Sequence, residues 1–545
     1  MSNQEWDYIV VGAGSAGCVT AARLGDAGYR VLVLEAGVSE KATPWLSIPV
    51  GVGKILQDER YVWKFYTEPE PGAADRKMYW PRGKVVGGSS GVNGMIWACG
   101  EPAQYDSWAR HGCPGWSWSD VEPVLRRLEN TSAFGSARGE NGPISIEELA
   151  PRDGLTEAFL DACAATGIAR TNDYNAEPFE GAGLLQMSTR RGVRFSMARA
   201  FLRPALKRGN VHLEHQALVA RILFTGKRAT GVRYTRDGDT RDAHARFGVI
   251  VAAGAIQSPQ LLEVSGIGQG RHLQSLGVPV VAELRGVGEN LSDHFHIRIT
   301  WRSKGVLTFN ELRNKPWLYG PAAGLEYLLR GTGPMSYISA TAHALARSLP
   351  DLPRPDIKIQ IHKVSMADRS DYRRGSGVDP FPGISIGYFQ MFPDSRGSVH
   401  ARTPHMSDAP RIVANYLSAE TDRQVALRGL HMSRAIAAQP HMQRYIVEET
   451  RPGPSVASDA ALLDYARRNG QTSYHPVGTC KMGNGPDSVV DSECRVHGVD
   501  GLRVIDASVI PHLVSSNTNA PAIAVGEKGA DYILKATNRR LAAAG

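Results

Sequence analysis

The sequence predicts an α/β fold, and three observations predict it. A β-branched run, Tyr8-Ile9-Val10-Val11, opens the chain. It is followed at once by Gly12-Ala13-Gly14-Ser15-Ala16-Gly17 and by helical spacing of apolar residues from Cys18 to Ala27. A second apolar run, Val31-Leu32-Val33-Leu34, ends in Glu35. Strand, helix and strand thus fit in about 30 residues, and the parallel pairing of such a unit defines the class.

The glycines supply what a pyrophosphate needs: a tight turn at Gly12, close backbone approach at Gly14 and close helix-to-strand packing at Gly17. Glu35, at the end of the second strand, is placed to accept hydrogen bonds from a ribose. This arrangement predicts a bound dinucleotide and leaves NAD and FAD both open. The next cluster, Gly83 to Asn93, is rich in small residues whose bare N–H groups suit a flat ring or a phosphate. Its Gly87-Gly88-Ser89-Ser90-Gly91 also reads as G-x-S-x-G, the elbow of an α/β-hydrolase with Ser89 as nucleophile. Only Val85-Val86 precedes it, too short for the strand that elbow requires. Gly254 to Gly268 follows the strand-like Gly248 to Val251 and predicts a helix starting near Pro259 and stopping at Gly266. Near the C-terminus, His475 precedes Pro476, which places it in extended or turn backbone with a ring free to project into a cleft.

From about 300 to 460 the chain becomes richer in aromatics and Met, with Pro-bounded blocks and no further Gly-x-Gly motif, as expected of a substrate-handling domain. A helix is predicted over Asp422 to Ala437. Trp317, Tyr319, Tyr327, Met335, Tyr337 and Phe389 are candidates either to line the substrate pocket or to fill its core.

Composition excludes several classes. With 545 residues, 42% hydrophobic and 21% charged, the chain is neither disordered nor fibrous. The net charge of +8 is spread thinly, and basic spots such as Arg190-Arg191 and Arg373-Arg374 are too short for a nucleic-acid arm. Six cysteines without a CxxC pair fit a reducing compartment and no disulfide scaffold, and no metal site is expected. The polar start, Met1 to Asp7, has no leader character, and no apolar run reaches about 18 residues. A cytoplasmic protein is expected, with peripheral membrane contact left open.

The Gly12/Gly14/Gly17/Glu35 fingerprint, the Gly83 to Asn93 and Gly254 to Gly268 segments, and the His475 and Asn517 neighbourhoods, in this order, resemble the glucose-methanol-choline oxidoreductases. Two of these segments match the family's signature patterns position by position, and the resemblance covers nearly the whole chain. It is strongest to bacterial alcohol dehydrogenases of the choline, sorbose and aliphatic-alcohol type. The resemblance implies a Rossmann-like FAD-binding domain with a second α+β substrate domain, an antiparallel sheet flanked by helices. The FAD domain is then discontinuous, 1–150, 211–300 and 465–545, with 151–210 and 301–464 binding substrate.

Residue by residue, the resemblance implies His475 as the base and Asn517 as its partner. Asn93 would lie beside the flavin ring and Val219 would hold adenine through its backbone. Ser15, Ala16, Ala36, Val86, Gly88, Ser89, Gly94, Met95, Asp506, Ala507 and Asn519 would be further FAD contacts. One departure is local: relatives commonly carry Arg before the glycine that ends this stretch, where this chain has Ala98-Cys99-Gly100. Cys99 reads as a small buried filler. Some relatives tether the flavin through a histidine at the position of Val92, so FAD is expected to be non-covalent. The implied reaction oxidises a small-molecule alcohol to an aldehyde or ketone, with electrons passing to a quinone or to oxygen. A hydrolase using Ser89 and a redox-silent flavin-binding protein are the rival readings.

Overall fold

The computed structural model describes residues 5–131, 133–135, 138–149, 153–367 and 377–544. Arg373 and Arg374 lie outside the described residues. Two seven-stranded sheets organise the chain.

The first sheet is built on the predicted unit: β1 (Trp6–Val11), α1 (Ser15–Asp26) and β2 (Val31–Glu35). Three of the next strands, β3 (Val211–His215), β4 (Leu218–Thr225) and β5 (Arg228–Arg236), precede the 13-residue β6 (Asp239–Val251). The order is β3–β2–β1–β6–β5–β4, and the short strand Leu502–Val504 also pairs with β6. Pairing is parallel among β3, β2, β1 and the end of β6, and antiparallel from β6 through β5 to β4. Ile9, Val10, Leu32 and Val33 are buried on both faces, which is why these runs are continuously apolar rather than alternating.

Glycines set the spacing behind this sheet. A Cβ at Gly17 would stand 2.0 Å from the Gly12 carbonyl oxygen, so only glycine lets α1 start this close to its strand. The C-terminal helix Asn519–Ala544 packs on α1. Gly526 meets Ala16, the Thr20 hydroxyl donates to the Gly526 carbonyl at 3.1 Å, and Arg23 Nε donates to both oxygens of buried Glu527 at 2.9 Å. This junction brings the starts of two helices together, and Ser15 Oγ donates to Asn519 Oδ1 at 2.7 Å.

The predicted helix after β6 is α2 (Gly254–Val264), which starts five residues before Pro259. Two contacts explain the difference. Asp506 accepts from the Gly254 N–H at 2.9 Å at the helix start. The Ala255 carbonyl, left without a partner by Pro259, accepts from Thr479 Oγ1 at 2.7 Å.

The second sheet comprises β7 (Phe295–Ser303), β8 (Ala340–Ala346), β9 (Ile357–His362), β10 (Gly383–Gln390) and β11 (Ile446–Arg451). It runs β11–β7–β10–β9–β8 and then Gly181–Leu184, all antiparallel, with Gln471–Thr472 on β7. The expected boundary at 300 therefore cuts through β7, and Gln471–Thr472, expected with the FAD-binding part, pairs in this sheet instead. Both follow from pairing that only the folded chain reveals.

Its strands alternate between two buried faces. Ile297, Ile299, Ile357, Ile359, Ile361, Ile384 and Ile386 join a core covered by helices Gly154–Ala165 and Glu420–Ala437. The opposite face carries His296, Arg298, Lys358, Gln360, His362 and Phe389 toward the first sheet. No helix among the described residues is long and apolar enough to cross a membrane.

Candidate active site

A cavity of about 670 Å³ runs between the two sheets. Of the residues predicted to bind FAD, Gly12, Gly14, Ser15, Ala16, Glu35, Ala36, Gly88, Ser89, Asn93, Gly94, Met95, Val219, Asp506, Ala507 and Asn519 line it, as do His475 and Asn517. Gly17 and Val86 stand behind its wall. Gly17 is packed against Gly12, and the Val86 N–H donates to the Val38 carbonyl at 2.9 Å. Val92 borders the cavity and offers no nucleophile.

The cavity fits a dinucleotide on its own geometry. A Cβ at Gly14 would touch only the Ala252 carbonyl oxygen, at 3.8 Å, and would otherwise take up cavity space, and the α1 and C-terminal helix starts both face inward, a setting that favours a phosphate. Glu35 accepts from Ala13 N–H at 2.9 Å and Gly37 N–H at 2.8 Å, one on each oxygen, leaving lone pairs for ribose hydroxyls. Burial raises its pKa to about 7 against the opposing pull of those two N–H groups, so the carboxyl gains from further donors. Asp506 is more committed than the sequence suggested: its oxygens take Gly254 N–H, Ser258 Oγ–H and Ser508 N–H. Ser89 sits in a single 3₁₀ turn, with Oγ accepting from Gly83 N–H at 3.2 Å. That is not a strand-to-helix elbow.

At the other end, His475 is held by its backbone. Asp293 accepts the His475 N–H at 2.7 Å and the Thr472 hydroxyl at 2.6 Å, and also bonds Tyr416. Tyr474 adopts the left-handed region at φ 66°, which turns the following ring into the cavity. Arg82 Nη1 donates to the Tyr474 carbonyl at 2.8 Å.

The side chains then form a line of four. Lys358 Nζ donates to Asn517 Oδ1 at 2.7 Å and to Ser516 Oγ at 2.9 Å. Asn517 Nδ2 lies 2.9 Å from His475 Nε2, His475 Nδ1 lies 3.0 Å from His294 Nδ1, and His294 Nε2 lies 3.0 Å from the Met391 carbonyl. The two ends fix the direction. A protonated lysine only donates, and a carbonyl only accepts whatever the pH, so the Met391 end alone already sets the sense. His294 Nε2 therefore carries hydrogen, and its Nδ1 accepts from His475 Nδ1–H. His475 Nε2 is left as a lone pair that accepts from Asn517.

Burial keeps both rings neutral. It pulls His294 down to about 3 and His475 well below the ordinary value, His475 further lowered by His294, Lys358 and Arg82. Burial also lowers Lys358 to about 7. Lys358, His294 and Asp293 were not found from the sequence. The alternation Ile357-Lys358-Ile359-Gln360-Ile361-His362 was the available signal, since it puts Lys358 on a polar strand face that the fold buries.

Asn93 Oδ1 accepts from Arg194 Nη1 at 2.9 Å and Met95 N–H at 3.0 Å. Cys99 is buried, and burial and Glu129 raise its thiol pKa against an opposing pull from Arg138, which disfavours the thiolate. Away from the cavity, Glu263, His272 and His400 bring ligand-type atoms within 4.8 Å. Burial opposes charge on His400, but hydrogen bonds to Glu263 and Glu289 raise it to about 9, an ion-paired cluster.

A dinucleotide fold joined to a substrate sheet, with an imidazole lone pair at their meeting point, defines an oxidoreductase class. Residues 6–296 match the N-terminal model of the GMC oxidoreductases and residues 393–526 the C-terminal one. The chain belongs to the GMC oxidoreductase family, FAD-dependent enzymes acting on CH–OH groups. It is 39% identical to the mitochondrial choline dehydrogenase of Homo sapiens, over 98% of this chain and 90% of that protein. It is also 39% identical to the oxygen-dependent choline dehydrogenase of Vibrio vulnificus (97% and 94%). Pyridoxine 4-oxidase from Mesorbium loti superposes with a TM-score of 0.87 at 28% identity, over 97% and 99% of the two chains.

Proposed function

We propose that this protein oxidises a neutral, largely apolar alcohol, with His475 as the base. FAD, when bound, supplies the acceptor for the hydride that leaves the alcohol carbon. The observation that carries the reading is the Lys358–Asn517–His475–His294 line. It delivers an unprotonated Nε2 at the cavity wall, where it accepts the hydroxyl proton. Without substrate the Nε2 lone pair accepts an Asn517 N–H; the substrate hydroxyl takes that place on Nε2, Asn517 Nδ2 then donates to the substrate oxygen, and Lys358 keeps the amide from turning over. Gly12, Gly14, Glu35 and Val219 would hold the dinucleotide without a covalent bond, and Asn93 would stand beside its ring. A quinone or oxygen takes the electrons in a second half-reaction.

The relatives' choline is disfavoured by charge. Among the described residues the cavity's carboxylates are Glu35 and Asp506, both engaged by backbone donors, while Arg298, Arg313 and Lys54 face the same space. Leu312, Ile338, Val364 and Phe389 add apolar wall, and of the aromatic rings that could face a quaternary ammonium, Trp45, Trp63 and Phe389 already lie under Lys54, Lys84 and Lys358. Anaerobic stopped-flow spectra of the holoenzyme test this. Medium-chain primary alcohols should bleach the flavin faster than choline at equal concentration; faster bleaching by choline would overturn the substrate assignment.

A further inference from the structure

The helix α3 (Pro316–Arg330) is built the wrong way round for water. Its inner side carries Gly320 and Ala323, which form part of the cavity wall, and Ala323 is its one fully buried residue. At 3.6 residues per turn, Trp317, Leu318, Leu325, Leu328 and Leu329, with Pro321 and Ala322 between them, fill one outward arc of about 140°. All seven are exposed, Trp317 and Leu329 at 74% and Leu328 at 82%, and no charged or polar residue interrupts them. Of the ten large apolar side chains that stand exposed among the described residues, five are on this helix. Exposed apolar side chains gathered on one arc in this way mark a contact surface.

Its surroundings select the partner. Arg313 and Lys315 stand exposed just before the helix and Arg330 at its end. The exposed pair Arg190 and Arg191 lies beside the helix end as well, because the following Gly192 is pressed against the Gly331 carbonyl. The single acid of the helix, Glu326, sits beside the arc and accepts from Thr332 Oγ1 at 3.1 Å. Apolar side chains ringed by cations complement acyl chains beneath anionic headgroups. A second copy of the chain is a poorer fit, since a two-fold contact on this face would bring the same cations together.

We propose that α3 lies in the surface of an anionic bilayer, so that the cavity wall it forms adjoins the membrane. This is a monotopic contact and needs no spanning helix. It gives the Arg190-Arg191 pair a role as headgroup contacts.

Co-sedimentation of the holoenzyme with phosphatidylcholine vesicles, with and without phosphatidylglycerol, tests the proposal. Binding should require phosphatidylglycerol and weaken with salt, and Trp317 emission should shift to the blue. The double variant Leu325→Glu/Leu328→Glu should lose at least about tenfold in vesicle partition. Neither side chain borders the cavity, so the variant should keep its flavin spectrum and its reduction by a short soluble alcohol. Equal binding to both vesicles would remove the anionic component. Absence of binding, binding that the variant leaves unchanged, or a dimer that the variant dissolves would overturn the assignment.

Discussion

At the residue scale, the account turns on how one imidazole nitrogen is kept unprotonated. Because burial lowers His475 well below an ordinary histidine, its change to the charged form moves to lower pH. Protonation of His475 itself should therefore contribute no loss of flavin reduction near the free value of about 6.5, so that the Lys358→Met variant has a flat profile there. Lys358, lowered to about 7, titrates in this range next to His475, whereas Glu35, raised to about 7, does so at the dinucleotide end of the cavity. Its charge opposes protonation of His475, so the base strengthens as the pH rises and that charge leaves. Reduction should accelerate as pH rises through about 7, and Lys358→Met should abolish that step while slowing the reaction about tenfold through loss of the Asn517 orientation. Stopped-flow pH profiles of the two proteins check both statements; an unchanged step in the variant would assign the titration elsewhere.

At the scale of elements, turns and junctions rather than strands place the chemistry. Gly17→Ala would drive a methyl group into the Gly12 carbonyl, so α1 must retreat from its strand. This variant should purify without flavin, checked by the absorbance ratio of the isolated protein. Asp293→Ala should loosen His475 by removing the acceptor of its N–H, at a cost of about 1–3 kcal/mol for the donors left buried, measurable by urea unfolding. The same distinction explains what the sequence made legible. The β1–α1–β2 unit and the Glu35 position were readable because local patterning and glycine geometry are written in consecutive residues. The start of α2 was not, since Asp506 and Thr479, which secure it, lie more than 200 residues away. His475 and Asn517 stood out by resemblance, whereas Lys358 and His294 acquire meaning only when β9 and the end of the 288–294 loop meet them. Trp317, weighed as pocket or core, belongs to neither: it points outward from α3.

At the scale of the whole molecule, neither sheet alone makes the site. The first sheet and its glycine turns line the end of the cavity proposed for the dinucleotide, the second presents a buried polar face, and segments from both chain ends close the space between them. Val92 borders the cavity and offers no nucleophile, and we propose non-covalent binding, so acid precipitation should release yellow FAD into the supernatant; colour in the pellet would contradict that proposal. The most direct test of the account is anaerobic reduction of FAD-loaded His475→Ala by a saturating alcohol. Loss of the base should slow reduction by about 10² or more while the flavin stays bound; near-native reduction would contradict the central claim that His475 takes the proton.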